Sequence, residues 1–242
     1  MKIAYFTITR FLWVIISFLL SSCLSQKDIS TNEMNQLFDK TNLFLKKNIR
    51  EKSINYNVIK DEISDLDTLL HQYENHRLTI VTDSLFYRAY LINYYNLVTI
   101  KQVCTTLPIN RISDSVHFFS KPVIRFKDQL FSLNEFRNQL ILKSGNYEDF
   151  LLLLFPFKSE VRVVNYNAHL ESQEYRNELA KEILSNKEYI RIKPAIRKVL
   201  IPETIYWHTS IKKEDILNEI KKYREITADF ELDYYPINWS FY

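Results

Sequence analysis

The side chains able to do chemistry are few and widely spaced. Asn93 and Asn96 stand three apart in Tyr90-Leu91-Ile92-Asn93-Tyr94-Tyr95-Asn96-Leu97, which places both on one face of a helix. Their carboxamides could hydrogen-bond a ligand in a cleft, or tie the helix to a neighbouring loop such as the one carrying Trp239 and Ser240. Asn is a poor helix former because its side chain competes for backbone hydrogen bonds. Here it shares a stripe with Tyr90, Leu97, Ile100 and Cys104, so it must be satisfied by partners. His169, in Asn167-Ala168-His169-Leu170-Glu171, is a candidate acid or base. Trp239 is a candidate ligand platform or core residue. These four, Asn93, Asn96, His169 and Trp239, are the candidate ligand-binding residues; none is assigned a catalytic role. Cys104 sits at the C-terminal end of its helix, where the helix dipole opposes a thiolate. It reads as a small buried hydrophobe.

Other chemistry is excluded by counting. The chain holds a single glycine, Gly145. Phosphate-binding loops, dinucleotide fingerprints and the Gly-x-Ser-x-Gly elbow each need at least two. The histidines at 71, 76, 117, 169 and 208 form no His-Glu-x-x-His or His-x-His cluster, and no Cys pair accompanies them. No metal site and no cofactor is expected.

A second cysteine carries a different chemistry. Lys2 and Arg10 precede an apolar run from Phe11 to Leu20, followed by Leu20-Ser21-Ser22-Cys23. A basic start, a short apolar stretch and small residues before a cut form a secretory signal. With Cys at the cut the segment looks like a bacterial lipoprotein signal, with Cys23 as the lipidated first residue. The apolar stretch is shorter than the roughly 20 residues of a spanning helix, which argues against a retained anchor. One acyl chain binds a bilayer marginally, whereas two or more hold it. The expected partner is therefore the lipid bilayer, through acylated Cys23. The expected location is the bacterial cell envelope, at the outer membrane if the host has two, since Leu24 rather than Asp follows the Cys.

The formal net charge is +3. Loss of Lys2 and Arg10 would leave 30 of the 32 basic residues against 29 acidic ones. A near-neutral chain makes no electrostatic case for nucleic acid. The clusters Lys46-Lys47…Arg50 and Lys221-Lys222…Arg224 read as solvated helix faces. With Cys23 acylated, only Cys104 remains and no internal disulfide can form. Stability must come from a core, and 16 Tyr, 16 Phe and 3 Trp supply large buried areas.

The positioning elements follow from periodicity. Residues 1–22 are the signal and 23–32 a lipidated tether of roughly 16 Å reach. Residues 33–242 form one α+β domain, mostly helical with short strands and hairpins. Helical spacing predicts helices over 31–49, 56–73 and 83–105, the last with Asp83 or Ser84 as N-cap. A hairpin turning at Lys127-Asp128 spans 123–132, and Ser132-Leu133-Asn134-Glu135 is a capping box opening a helix to about Lys143. The apolar run in 146–157 fits a buried strand or a buried helix, and 161–166 another strand. Residues 172–185 are helical, 189–192 and 197–201 form a second hairpin, and the last helix runs from Ser210 to near Ile226. The tail 233–242 reads as an edge strand or packed extension.

Four of these segments together resemble the domain of unknown function 547 family. Tyr90 to Asn96 is similar to its aromatic-x-x-Asn-x-Tyr-Asn signature. Phe131-Ser132-Leu133-Asn134-Glu135 resembles its Ser-Leu-Asn helix start. Ile201 to His208 resembles its hydrophobic segment ending in Trp-Tyr, and Ile237 to Phe241 its closing Tyr-Asp-Trp-Ser-Leu. The resemblance covers roughly residues 50–242. The chain departs from the family where Glu-His is replaced by Arg137-Asn138. It departs again where Arg-Ile-His-Phe-Ala and a Cys-containing loop give way to Asp149 to Ser159. The resemblance implies a fold neighbourhood and, with those polar residues gone, a degenerate member.

Two functional expectations follow. One is a membrane-anchored envelope lipoprotein with a non-catalytic binding or scaffold domain, whose partner is an envelope protein or a small ligand. The other is an envelope hydrolase or transferase with a pocket near Asn93, Asn96 and His169. The first is favoured, because catalysis needs a convergent polar constellation.

Overall fold

The computed structural model describes residues 29–50, 53–76, 84–106, 118–144, 149, 151–153, 167–203 and 212–236. Helix α1 (Thr31–Asn48) opens on a capping box, with the Ser30 hydroxyl accepting from the Glu33 N–H while the Glu33 carboxylate accepts from the Ser30 N–H. Ile29 is already packed at 3% exposure. Packing against the core thus includes a residue just before the helix. The buried face of α1 is Met34, Leu37, Phe38, Thr41 and Leu45, the spacing of an amphipathic helix.

A two-residue ladder, β1 (Ile49–Arg50) with β2 (Ser53–Ile54), reverses the chain. The expected helix over 56–73 is two helices, α2 (Tyr56–Asp61) and α3 (Ile63–Asn75). They break at Glu62, whose backbone leaves the helical region at φ −111° and ψ 34°. Each apolar patch, Tyr56 and Ile59 on one and Leu66, Leu69, Leu70 and Tyr73 on the other, is buried. The break lets the two helices aim them independently.

Helix α4 (Leu85–Thr106) is the centre of the fold. Ser84 caps it, accepting at 3.1 Å from the Tyr87 N–H. Every residue from Ala89 to Ile100 is buried, so this helix is covered on all sides rather than along one stripe. Tyr73, Tyr90 and Tyr94 pack together, and the Tyr94 ring meets Phe136 edge-on at 5.8 Å. Among the described residues no helix is long and apolar enough to cross a membrane.

The first hairpin pairs β3 (Pro122–Phe126) with β4 (Gln129–Ser132). Its turn residues Lys127 and Asp128 both take positive φ, 48° and 61°, the conformation a two-residue hairpin turn requires. Ser132 and Glu135 form the expected capping box at the start of α5 (Leu133–Phe136). The helix does not continue as an α-helix to Lys143. Residues Arg137–Ile141 widen into a π-turn, with the Leu142 N–H reaching back to the Arg137 carbonyl, and Leu142–Ser144 tighten into a 3₁₀ turn.

Helix α6 (Gln173–Ser185) is capped by Ser172. The second hairpin, β5 (Arg191–Lys193) with β6 (Lys198–Pro202), turns through a short 3₁₀ segment with Arg197 at φ 50°. From β6 the chain crosses through α7 (Lys213–Lys221) to β7 (Glu231–Tyr235), which pairs parallel to β6 at the sheet edge. Helix α7 is shorter than the expected 210–226; by Lys222 the chain is in a turn. The segments 154–166 and 237–242, with their expected strand and tail, lie outside the described residues. Lys46 and Lys47 are exposed, and Lys47 pairs with Glu62 and Asp65. The mostly helical α+β architecture with short strands is as the sequence implied.

Candidate functional site

Helix α4 carries Asn93 and Asn96 inward, both at 0% exposure. The Asn93 Nδ2 donates to the Ala168 carbonyl at 2.7 Å, and the Asn96 Nδ2 to the Leu152 carbonyl at 3.0 Å. Both acceptors belong to segments outside the β-ladders, and the Ala168 carbonyl also accepts from the Leu170 N–H at 2.9 Å. The two Asn side chains therefore hold two irregular segments against the central helix. Their cost to helix propensity, a few tenths of a kcal/mol each, is no larger than the contribution of a hydrogen bond, about 0.5–1.5 kcal/mol.

A charged cluster lies in the same layer. Asp149 is fully buried and accepts from Arg88 of α4 at 3.2 Å. It also pairs with Arg176 of α6, itself 1% exposed. The other arm of Arg176 donates to the Leu170 carbonyl at 3.1 Å. A buried carboxylate between two guanidinium groups ties Asp149 to α4 and α6, and the Arg176 bond to Leu170 adds the loop before α6.

His169 stands on the outer side of this layer. Its Nδ1 meets Glu171 at 2.9 Å and its Nε2 meets Asp39 of α1 at 3.0 Å. The ring packs edge-on against Phe38, with centroids 5.8 Å apart. Asn42 of α1 clamps the same loop, donating to the Asn167 side chain at 2.7 Å and accepting from the Ala168 N–H at 2.5 Å. Partial burial pulls the imidazole pKa down, but hydrogen bonds to Asp39 and Glu171 outweigh it and raise the pKa above the ordinary value. A general base needs a ring nitrogen free to take a substrate proton. Here both nitrogens are engaged, and the ring is a bridge from α1 to the loop.

The thiol of Cys104 is buried and faces the Tyr56 carbonyl at 3.6 Å. Burial pushes its pKa up to about 11 despite the opposing charge of Lys60, so the reactive thiolate is scarce at neutral pH. Among the described residues no group of three His, Cys, Asp or Glu side chains could hold a metal ion. The two carboxylates around His169 lie on opposite edges of its ring and do not converge. Cys23 and Trp239 lie outside the described residues.

The structure thus joins Asn93 to the loop of His169 through Ala168. Asn96 is bonded to a different segment, at Leu152. The sequence reading passed over Asp149, Arg88, Arg176 and Asn42. Signals existed for two of them. Asp149 is a charge opening the apolar block Leu151-Leu152-Leu153-Leu154, and Arg176 falls in register with the buried stripe Leu179, Ala180 and Ile183. No family model, no curated protein and no solved structure matches this chain.

Proposed function

We propose that this chain is a cell-envelope lipoprotein, anchored through acylated Cys23, whose folded domain is a non-catalytic binding or scaffold module. The observation that carries the non-catalytic reading is the internal use of the polar groups that could do chemistry. Asn93 and Asn96 bond backbone carbonyls at 0% exposure, and both nitrogens of His169 meet carboxylates. Catalysis needs polar groups converging on a space a substrate can enter. We read the domain as a divergent relative of the domain of unknown function 547 family, on the four motifs from Tyr90 to Phe241. Its capped entry at Ser30, only seven residues beyond Cys23, would hold the body near the bilayer.

Metabolic labelling with a radioactive fatty acid tests the anchor. The native chain should carry label and sediment with membranes, and Cys23→Ala should do neither. Labelled, membrane-bound Cys23→Ala would sink the reading. Thermal melts test the non-catalytic half: Asn93→Ala should lower the melting temperature markedly.

A further inference from the structure

We propose that Arg137 forms the floor of an oxyanion site, taking one small carboxylate or phosphate group beneath Asn134 and Asn138. Arg137 is 2% exposed, and a guanidinium cannot shed its proton to escape burial. A buried charge is costly unless it is paired. Among the described residues Arg88 and Arg176 obey that rule, since they share Asp149. Arg137 has no carboxylate within 4.0 Å among the described residues. Its sequence neighbour Glu135 is directed elsewhere, accepting from the Ser132 N–H and hydroxyl, each at 2.8 Å.

The guanidinium is nevertheless held in a defined pose. Its Nε donates to the Asn138 Oδ1 at 3.1 Å and its Nη2 to the Asn134 Oδ1 at 2.9 Å. Nη1, with two N–H donors, is buried and has no partner. Each Asn that gives its oxygen to Arg137 keeps an amide NH₂ as a further donor. The cluster is therefore rich in donors and one negative charge short. Asn138 is exposed and Asn134 half-buried, so the cluster lies where the core meets the surface. The residue sits at the first position of the π-turn, a local irregularity frequent at functional sites. A planar guanidinium donor suits the oxygens of carboxylate and phosphate.

The experiment uses the full-length chain in non-ionic detergent. Its thermal unfolding is followed by intrinsic fluorescence during titration with sodium phosphate, sodium acetate or sodium chloride at matched ionic strength. Phosphate, acetate or both should raise the melting temperature in a saturating way that chloride does not. A phosphate-only response assigns a phosphate ligand, and a response to acetate a carboxylate. Arg137→Met should abolish the saturating response, and in buffer free of oxyanion it should melt no lower than the native chain. Asn138→Ala, at an exposed position, should stay folded and shift the titration midpoint several-fold upward. Equal responses to all three salts would overturn the proposal, as would a saturating response surviving in Arg137→Met. If Arg137→Met does not fold, the salt comparison and Asn138→Ala decide, and an unchanged midpoint in Asn138→Ala counts against the site.

Discussion

Replacing Asp149 with Leu should be among the most damaging single changes to this domain. The carboxylate is 0% exposed and bridges Arg88, whose side chain is 14% exposed, and Arg176, whose side chain is 0% exposed. Removing it takes the Asp149 counter-charge away from a guanidinium that stays buried. Breaking a buried pair in this way costs about 3–5 kcal/mol. Against a typical total of about 5–15 kcal/mol, that is a fifth or more of the stability. For a chain of this size about 1 kcal/mol moves the melting temperature by about 2–4 °C, so a fall of about 6–20 °C is expected. The double variant Asp149→Leu/Arg176→Met removes both buried charges and should recover part of the loss. Arg88, at 14% side-chain exposure, is the less buried of the two partners. Thermal and urea unfolding of the native chain, both single variants and the double variant would close the cycle. A loss below about 1 kcal/mol in Asp149→Leu would refute the argument, as would strictly additive effects in the double variant.

Three further outcomes are expected. Asn93→Ala should cost about 0.5–1.5 kcal/mol through loss of its hydrogen bond to the Ala168 carbonyl, read from urea midpoints. His169 has a folded pKa raised by Asp39 and Glu171 against the pull of burial. Its contribution is full below the unfolded value near about 6.5 and is lost as pH rises through the folded one. The native chain should therefore lose stability relative to His169→Gln across that window, and parallel pH profiles would count against the bridge. Asp128→Gly should stabilise the first hairpin by about 1 kcal/mol, because φ of 61° is strained for a residue with a Cβ; an unchanged melting temperature would contradict this.

Much of this molecule is written in local sequence. The capping box at Ser132, the Ser84 cap and the turn at Lys127-Asp128 depend on residues within three positions of each other. The buried faces of α1 and α6 depend on a period that any window shows. These features were legible because a hydrogen bond to residue i+3 or a repeat of 3.6 needs no knowledge of the rest of the chain. The proposed envelope location likewise rests on a local feature, the short apolar stretch before Cys23.

Other decisions needed the tertiary structure. Asn93 and Asn96 read as one pair, since they share a helix face, yet they bond segments 56 and 75 residues away. Spacing on a helix says which side chains are neighbours and nothing about what is packed against them. Asp149 finds Arg88 across 61 residues, and His169 finds Asp39 across 130. The parallel pairing of β6 with β7 is likewise a crossover that neither strand announces. The breaks at Glu62 and at the π-turn lie inside apolar periods that looked continuous, because packing rather than propensity decides where a helix ends. The sequence by itself determined which groups could be polar and buried. Only folding decided their partners, because a partner is chosen by distance in space, and the chain carries no local record of it.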